Sequence, residues 1–270
     1  MTEVEGTGTA TGSPESQAGE ILQNLNGRRL VVLLDYDGTL SPIAPRPEDA
    51  LLPAATRDVL DRLGARWPTA VISGRSLADA RGLVGLDQLF YAGNHGLEIE
   101  GPAGSGIRRN LAEGFVPDVA AAAAELDAAL ADVEGSLVEN KRYSLSVHYR
   151  LVAPEQVPSV ESAVDATVAR HPTLNKRLGK KVFELRPNLA WDKGKAVRWV
   201  RETIDEQGAG LLPVYVGDDV TDEDAFAALA GDGVGVLVSE DPRDTAATHR
   251  LVDTDEARRF LACLAEGAGV

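Results

Sequence analysis

The stretch Val31-Val32-Leu33-Leu34, followed by Asp35-Tyr36-Asp37-Gly38-Thr39, constrains the fold of this chain more than any other segment. Four consecutive branched aliphatics without polar alternation describe a strand covered on both faces, as in a parallel sheet flanked by helices. Parallel strands present functional groups at their carboxyl ends. This one delivers two carboxylates, spaced by one residue, into a glycine turn. An aspartate is a usable nucleophile toward phosphorus, dividing one hard displacement into two easier ones. A second acid two residues on can protonate the departing oxygen and then take a proton from the hydrolytic water. The same letters also describe a plain polar turn after a strand, so the pair needs partners elsewhere in the chain.

The bulk numbers narrow what those partners are. A chain of 270 residues suits one large domain or two smaller ones, and 44% hydrophobic with 26% charged residues is a soluble globular composition. No apolar run approaches the ~20 residues that span a bilayer, and the amino terminus lacks a signal-peptide layout, so a cytoplasmic location and no membrane partner are expected. The single cysteine, Cys263, leaves no internal disulfide or thiolate cluster and reads as a small apolar residue on the last helix. A formal charge of −15 opposes nucleic-acid binding and repels an anionic substrate at long range. A phosphate site must therefore be built locally, from a metal ion, basic side chains and backbone amides. Nothing in the sequence sets an oligomeric state, and a monomer suffices.

Residues 1–17 are rich in Thr, Gly, Ser and Glu, and are expected to form a disordered tail. From Leu30 onward apolar runs alternate with helical patterns: Ala54 to Ala65, Thr69 to Ile72, Leu77 to Val84, Leu89 to Ala92. This is the βαβα logic of a parallel sheet. The pattern then changes. Pro117 to Val133 is an Ala-rich amphipathic helix, and Tyr143 to Arg150 alternates strictly, which predicts a half-exposed antiparallel strand with Ser144, Ser146, His148 and Arg150 on its polar face. A helix near 155–170 and a strand at Lys181 to Leu185 complete an α+β insert. The βα pattern resumes from Trp191, with strands at Val214 to Val216 and Val234 to Val238. The expected architecture is α/β: a Rossmann-like parallel core over 18–112 and 186–270, interrupted by an insert over 113–185, with a site in the cleft between them.

Three further groups carry chemistry. Gly217-Asp218-Asp219-Val220-Thr221-Asp222-Glu223-Asp224 places a second acidic cluster after a second apolar strand. Acids favouring a helix dipole explain Asp222 to Asp224, but Asp218 and Asp219 would face Asp35 across the sheet edge, where like charges require a cation. An all-oxygen donor set without a Cys or His cluster points to Mg²⁺ rather than zinc. Ser73-Gly74-Arg75 ends another apolar run and offers a hydroxyl and free amides to a phosphate, or is simply a turn. Lys193 opens a helix, where a cation works against the dipole. It either serves a phosphate or is a solvated surface lysine.

Taken together and in this order, the Asp-x-Asp-Gly-Thr segment, the strand-terminal Ser73, Lys193 before a helix and Asp218-Asp219 after a late strand resemble the haloacid dehalogenase superfamily. The resemblance implies Asp35 as nucleophile, Asp37 as acid/base, Ser73 and Lys193 as phosphate-binding groups, and Mg²⁺ on Asp35, the Asp37 carbonyl and Asp218, supported by Asp219 and Asp222. It also implies that the insert is a cap. Within the superfamily, Gly93-Asn94-His95-Gly96-Leu97-Glu98, Val138-Glu139-Asn140-Lys141, Val147-His148-Tyr149-Arg150, Lys180 with Glu184 before Arg186-Pro187, and the late acidic run resemble the trehalose-6-phosphate phosphatase family over Leu30 to Phe260. What this implies is hydrolysis of trehalose 6-phosphate to trehalose and phosphate, the last step of trehalose biosynthesis. The sugar side would then use Glu139, Lys141, Arg150, Lys180 and Glu184, with Gly74, Arg75, Asn94, His95 and Gly96 also at the substrate. Ordinary surface ion pairing accounts for the same cap residues. Because only the cap selects the sugar, another sugar phosphate such as sucrose 6-phosphate, or a sugar phosphomutase reaction, stands as the alternative.

Overall fold

In β1 (Arg29–Leu34) every residue from Leu30 onward is buried, as a strand between two helical layers must be. The structure, a computed structural model, describes residues 12–205 and 210–267. The first part of the chain runs α1 (Pro14–Gln23), β1, α2 (Ala54–Arg66), β2 (Thr69–Ile72), α3 (Leu77–Val84) and β3 (Phe90–Gly93), then adds two short strands, β4 (Glu98–Glu100) and β5 (Arg108–Asn110). The insert comes next, with α4 (Val116–Ala129), β6 (Leu137–Asn140), β7 (Leu145–His148), α5 (Val157–Arg170), β8 (Leu174–Gly179) and β9 (Val182–Pro187). Finally α6 (Lys193–Ile204), β10 (Leu211–Gly217), α7 (Glu223–Leu229), β11 (Val234–Val238), β12 (His249–Leu251) and α8 (Thr254–Glu266) return to the first sheet.

That sheet has the order β12-β11-β10-β1-β2-β3-β4-β5. It is parallel from β12 to β3 and antiparallel beyond. The chain steps one way from β1 to β3 and the other way from β10 to β12. The strand order therefore reverses between β1 and β10, and a crevice opens at their carboxyl ends. Alternate residues of β1 feed two cores. Val32 and Leu34 pack with Leu60 of α2 and Phe260 and Leu261 of α8, while Val31 and Leu33 pack with Val197 and Val200 of α6 and Phe226 of α7.

The insert forms its own antiparallel sheet, β6-β7-β9-β8. One face, with Leu145, Val147, Phe183 and Leu185, packs on Val119 and Leu126 of α4 and Val160 and Val164 of α5. The opposite face aligns Glu139, Ser146 and Glu184 across three strands in one register. Those residues line the crevice.

Two expectations are corrected. Pro14 to Gln17 are ordered as the first turn of α1, capped by the Ser13 hydroxyl, which accepts from the Ser16 N–H at 3.2 Å. Ala18, Ile21 and Leu22, just beyond the polar stretch, anchor this helix in the core, and the Gln17 side-chain amide donates to the Arg250 carbonyl at 2.9 Å. The rest of the expected tail, residues 1–11, lies outside the described residues. Second, the alternating segment is a regular strand only over Leu145–His148, and its polar face is only partly solvated: Ser144 and Ser146 are buried because that face turns to the crevice, whereas His148 is half-buried and Arg150 exposed. The short strands β4, β5, β8 and β12 are not among the sequence expectations, since three to six polar-rich residues give no readable period.

Candidate active site

Two parallel strand ends form the floor of the crevice. The Asp35 N–H still donates to the Val216 carbonyl at 2.9 Å, so the ladder runs past β1 and fixes its carboxylate beside the end of β10. Gly38 comes shortly after with φ +79°, and a Cβ there would stand 2.1 Å from Asp218 Oδ2. Only glycine lets the turn after β1 pass this close to the second acidic cluster.

Lys193, at the start of α6, is buried with its ammonium 2.6 Å from Asp222 Oδ1 and 2.9 Å from Asp35 Oδ1. Asp222 Oδ1 also accepts from the Tyr215 hydroxyl at 2.6 Å, and its Oδ2 accepts from the Asp218 and Asp219 N–H groups, each at 2.9 Å. Four donors thus take up the capacity of Asp222, which serves to hold Lys193 and the Asp218–Asp219 turn in place. Burial works against the Lys193 charge, but Asp222 and Asp35 outweigh it and keep the pKa above that of an ordinary lysine. For Asp222, burial is likewise outweighed, by Lys193, Tyr215 and the backbone, and the carboxyl is held low. Asp35 has no such surplus of donors. Burial pushes its pKa well up, Lys193 opposes the rise, and Asp222 and Asp218 add to it. Burial likewise raises Asp218 to about 6, against the pull of Lys180.

Asp37 faces the other way. Arg75 grips it as a fork, Nε to Oδ2 and Nη2 to Oδ1, both at 2.8 Å. The guanidinium also reaches Asp79 at 2.7 Å and the Pro47 carbonyl at 2.8 Å, and lies over the Tyr36 ring. Arg75 therefore ties the loop at 43–50 to the crevice, helped by the Tyr36 hydroxyl on the Ala50 carbonyl at 3.0 Å.

The insert supplies the facing wall. Glu184 is buried, and its oxygens accept from Arg186 and meet His95 Nε2 at 3.2 Å. Burial alone would raise the Glu184 pKa, but His95, Arg186 and Lys141 together hold it well below the usual carboxylate range. His95 is driven down to about 3, by burial first and then by Arg186, so it is the neutral imidazole at neutral pH and donates from Nε2 to Glu184. The Lys141 ammonium donates to the Gly74 carbonyl at 3.1 Å, and Glu139 Oε2 pairs with His148 Nε2 at 2.9 Å. Lys180 contacts the Asp218 carboxylate, and the Arg150 guanidinium donates to the Lys180 carbonyl at 2.8 Å.

A single cavity of about 170 Å³ brings together Asp35, Asp37, Gly74, Arg75, His95, Glu139, Lys141, Arg150, Lys180, Glu184, Lys193, Asp218 and Asp219. That is room for roughly a dozen waters at ~10–15 Å³ each, a space for a small solute rather than a polymer. Four expected residues do not line it. Ser73 is fully buried, its hydroxyl accepting the Arg75 N–H at 3.1 Å. Asn94 is buried as a bridge, its carbonyl oxygen accepting from the Ser144 hydroxyl and its amide donating to Glu98 at 2.9 Å. Gly96 lies against α6, where a Cβ would meet the Ala196 methyl at 2.3 Å, and Asp222 sits behind Lys193. Conversely, Arg46, Ser146, His148 and Thr221 line the cavity without having been singled out. Strand parity already placed Ser146 and His148 on the right face; Arg46, in a Pro-rich loop, carried no signal.

Asp35, Asp218 and Asp222 each bring one oxygen within 4.8 Å of the others, all three buried. With Asp222 committed to protein donors, Asp35 and Asp218 remain as carboxylates able to ligate a cation. Hard oxygen donors of this kind fit a divalent metal.

Residues 33–256 match the trehalose-phosphatase family. A maize protein named trehalose 6-phosphate phosphatase RA3 is 37% identical over 264 residues, spanning 92% of this chain and 73% of its own length. A Mycobacterium tuberculosis protein described as an uncharacterized glycosyl hydrolase is 45% identical over 89% of this chain, which spans only 18% of that protein. Among solved structures, the C-terminal domain of Candida albicans trehalose-6-phosphate phosphatase superposes with a TM-score of 0.78 at 24% identity, covering 96% of this chain and 98% of that one, and so shares the fold. With the acidic floor at the reversal of the sheet and the family match spanning core and insert alike, the chain belongs to the trehalose-phosphatase family.

Proposed function

We propose that this chain hydrolyses trehalose 6-phosphate to trehalose and inorganic phosphate, completing trehalose biosynthesis, through an aspartyl-phosphate on Asp35. The observation that carries this reading is the floor itself. Among the described residues, the Asp35 carboxylate is held by Lys193 on Oδ1 alone, at the base of a cavity shared with the insert, in a chain of this family. Its Oδ2 attacks phosphorus, the bond from phosphorus to the sugar oxygen breaks, and Asp37 delivers a proton to that oxygen. In the second half, water attacks the acyl phosphate, Asp37 takes its proton, and phosphate leaves with Asp35 restored. The fork of Arg75 on Asp37 has to open for either transfer. Lys193 offsets charge that builds on the phosphoryl oxygens, an effect often worth several kcal/mol, on the order of ~3. Mg²⁺, held by Asp35 and Asp218 with the Asp37 carbonyl, would supply the remaining neutralisation.

The insert acts as the cap that selects the sugar. Glu139, Lys141, Glu184 and Arg150 present acceptors and donors to hydroxyls, and a site that pairs each hydroxyl rejects sugars lacking one. A small phosphorylated solute as substrate is the basis for a cytoplasmic setting. No described helix is long and apolar enough to cross a membrane.

Phosphate release measured on trehalose 6-phosphate, sucrose 6-phosphate and glucose 6-phosphate, with and without Mg²⁺, tests the reading. Fast turnover of the first alone, abolished by removing the metal or by Asp35→Asn, is expected. Equal rates on all three sugars would overturn the specificity, and an active Asp35→Asn would overturn the covalent route.

A further inference from the structure

Among the described residues, Lys180 is the part of the insert that reaches the acidic floor. It sits in the hairpin turn between β8 and β9, and its ammonium donates to the Asp218 carboxylate and, at 3.2 Å, to the Asp218 carbonyl. The turn is steadied where the Lys180 carbonyl accepts from Arg150. Asp218 is buried, whereas the Lys180 side chain is about half exposed, at 46%. The lysine can therefore swing away while the carboxylate cannot.

That contact falls on Oδ2, the atom Gly38 leaves open. An ammonium hydrogen-bonded there occupies a lone pair a cation could take, and two like charges on one carboxylate oxygen repel. Charge counting points the same way. Three carboxylates, Asp35, Asp218 and Asp222, face two ammoniums, Lys193 and Lys180, leaving one negative charge. A divalent cation in place of Lys180 brings the floor to neutrality; with Lys180 retained the floor would carry one excess positive charge in the interior.

We infer that Lys180 is a positioning residue that stands in for the divalent cation on Asp218, and that metal loading releases its ammonium to the anionic substrate. The inference rests on the metal-dependent reading above. It makes binding ordered: the phosphate group gains the Lys180 cation only after Asp218 has given it up. A cap residue thereby couples the filling of the metal site to capture of the substrate.

Calorimetric titration of Mg²⁺ alone into the full chain tests this, comparing wild type with Lys180→Met. Lys176→Met serves as a charge-matched control on the insert, since Lys176 pairs with Glu161 and Asp165 instead. Lys180→Met should bind Mg²⁺ about 5- to 10-fold more tightly, because a charge-assisted bond no longer competes, with Lys176→Met within about 2-fold of wild type. Inorganic phosphate titrated into the Mg²⁺-loaded proteins should show the opposite sign, about 10-fold weaker for Lys180→Met. A merely structural lesion would weaken both. Lys180→Arg, which keeps the charge, should restore the wild-type Mg²⁺ affinity. Unchanged or weaker Mg²⁺ binding by a folded Lys180→Met would overturn the inference while leaving the metal reading intact. No Mg²⁺ binding by wild type would overturn the metal reading, and the inference with it.

Discussion

The floor and the facing wall of the cavity are built on opposite principles. On the floor Asp35, Lys193, Asp218 and Asp222 are all under a tenth exposed, and Asp222 alone accepts four hydrogen bonds. On the wall Glu184 is buried against His95 and Arg186, but Glu139, His148, Arg150 and Lys180 are partly exposed and held by one or two contacts each, mostly to one another or to backbone. Groups that must meet a developing charge profit from being fixed beforehand, since preorganised dipoles and charges need no rearrangement as the reaction proceeds. Groups that must recognise hydroxyls profit from partners the sugar can replace.

The sharpest way to break this contrast is to remove the nucleophile while leaving its surroundings. Asp35→Asn should lower phosphate release by about 10⁴-fold or more, as loss of an obligatory covalent residue does. Its thermal unfolding should be unchanged or slightly higher, because a desolvated carboxylate is gone and Lys193 keeps Asp222. A loss of stability with retained turnover would reverse the assignment of Asp35 to chemistry.

Asp222→Ala should do the converse. It leaves the Lys193 ammonium with Asp35 alone and strands the Tyr215 hydroxyl and two backbone N–H groups in the interior. Breaking a buried pair by deleting one partner costs about 3–5 kcal/mol, readable as a lower midpoint in urea unfolding. A change below about 1 kcal/mol would show that the floor is looser than its geometry.

On the wall, Glu139→Gln keeps the shape and loses the charge that pairs with His148 and Lys141. Stability should move by under about 1 kcal/mol. The KM for trehalose 6-phosphate should rise about 10- to 30-fold with kcat nearly unchanged, the pattern of lost uniform binding. A fall in kcat with constant KM would place Glu139 with the chemistry instead.

Much of the floor is legible in the sequence because buried parallel strands announce themselves as unbroken aliphatic runs, and the residues directly after such a run must lie at the sheet edge. Val31 to Leu34 locates Asp35, and Val214 to Val216 locates Asp218. Less visible is which acid does what. Asp222 looks like any helix-start acid, and only the folded turn shows that it is spent on Lys193, Tyr215 and two amides. The wall is harder still. Strand parity puts Glu184 in register with Ser146 and Glu139 once the pairing is known, but a hairpin and a helix separate them in sequence. Arg46 enters the cavity because Arg75 and Tyr36 pin its loop, a dependence no local pattern carries. Ser73 shows the reverse failure: the strand-end rule places it at the tip of β2, and the turn then buries its hydroxyl under Arg75.

The smallest expected effect lies at the seam between the two regions, at His95. Its ring faces Glu184 and feels Arg186 and Lys193, and burial with the nearby cations holds its pKa at about 3 against 6.5 for a free histidine. Between those values the unfolded chain carries a proton that the native state refuses, so the native state loses stability as pH falls from about 6.5 toward 3 and keeps it in full above. Between about pH 7 and pH 5.5 this amounts to about 1 kcal/mol, at roughly 1.36 kcal/mol per unit. Replacing His95 by Asn removes the titrating group, so the variant's urea midpoint should fall less over that interval than the wild type's, whatever its absolute stability. If the wild type instead falls less than the variant, the imidazole is charged in the native state and pairs with Glu184 as an ion. The seam would then be built like the floor, from fixed opposite charges, rather than from a neutral donor that yields to substrate.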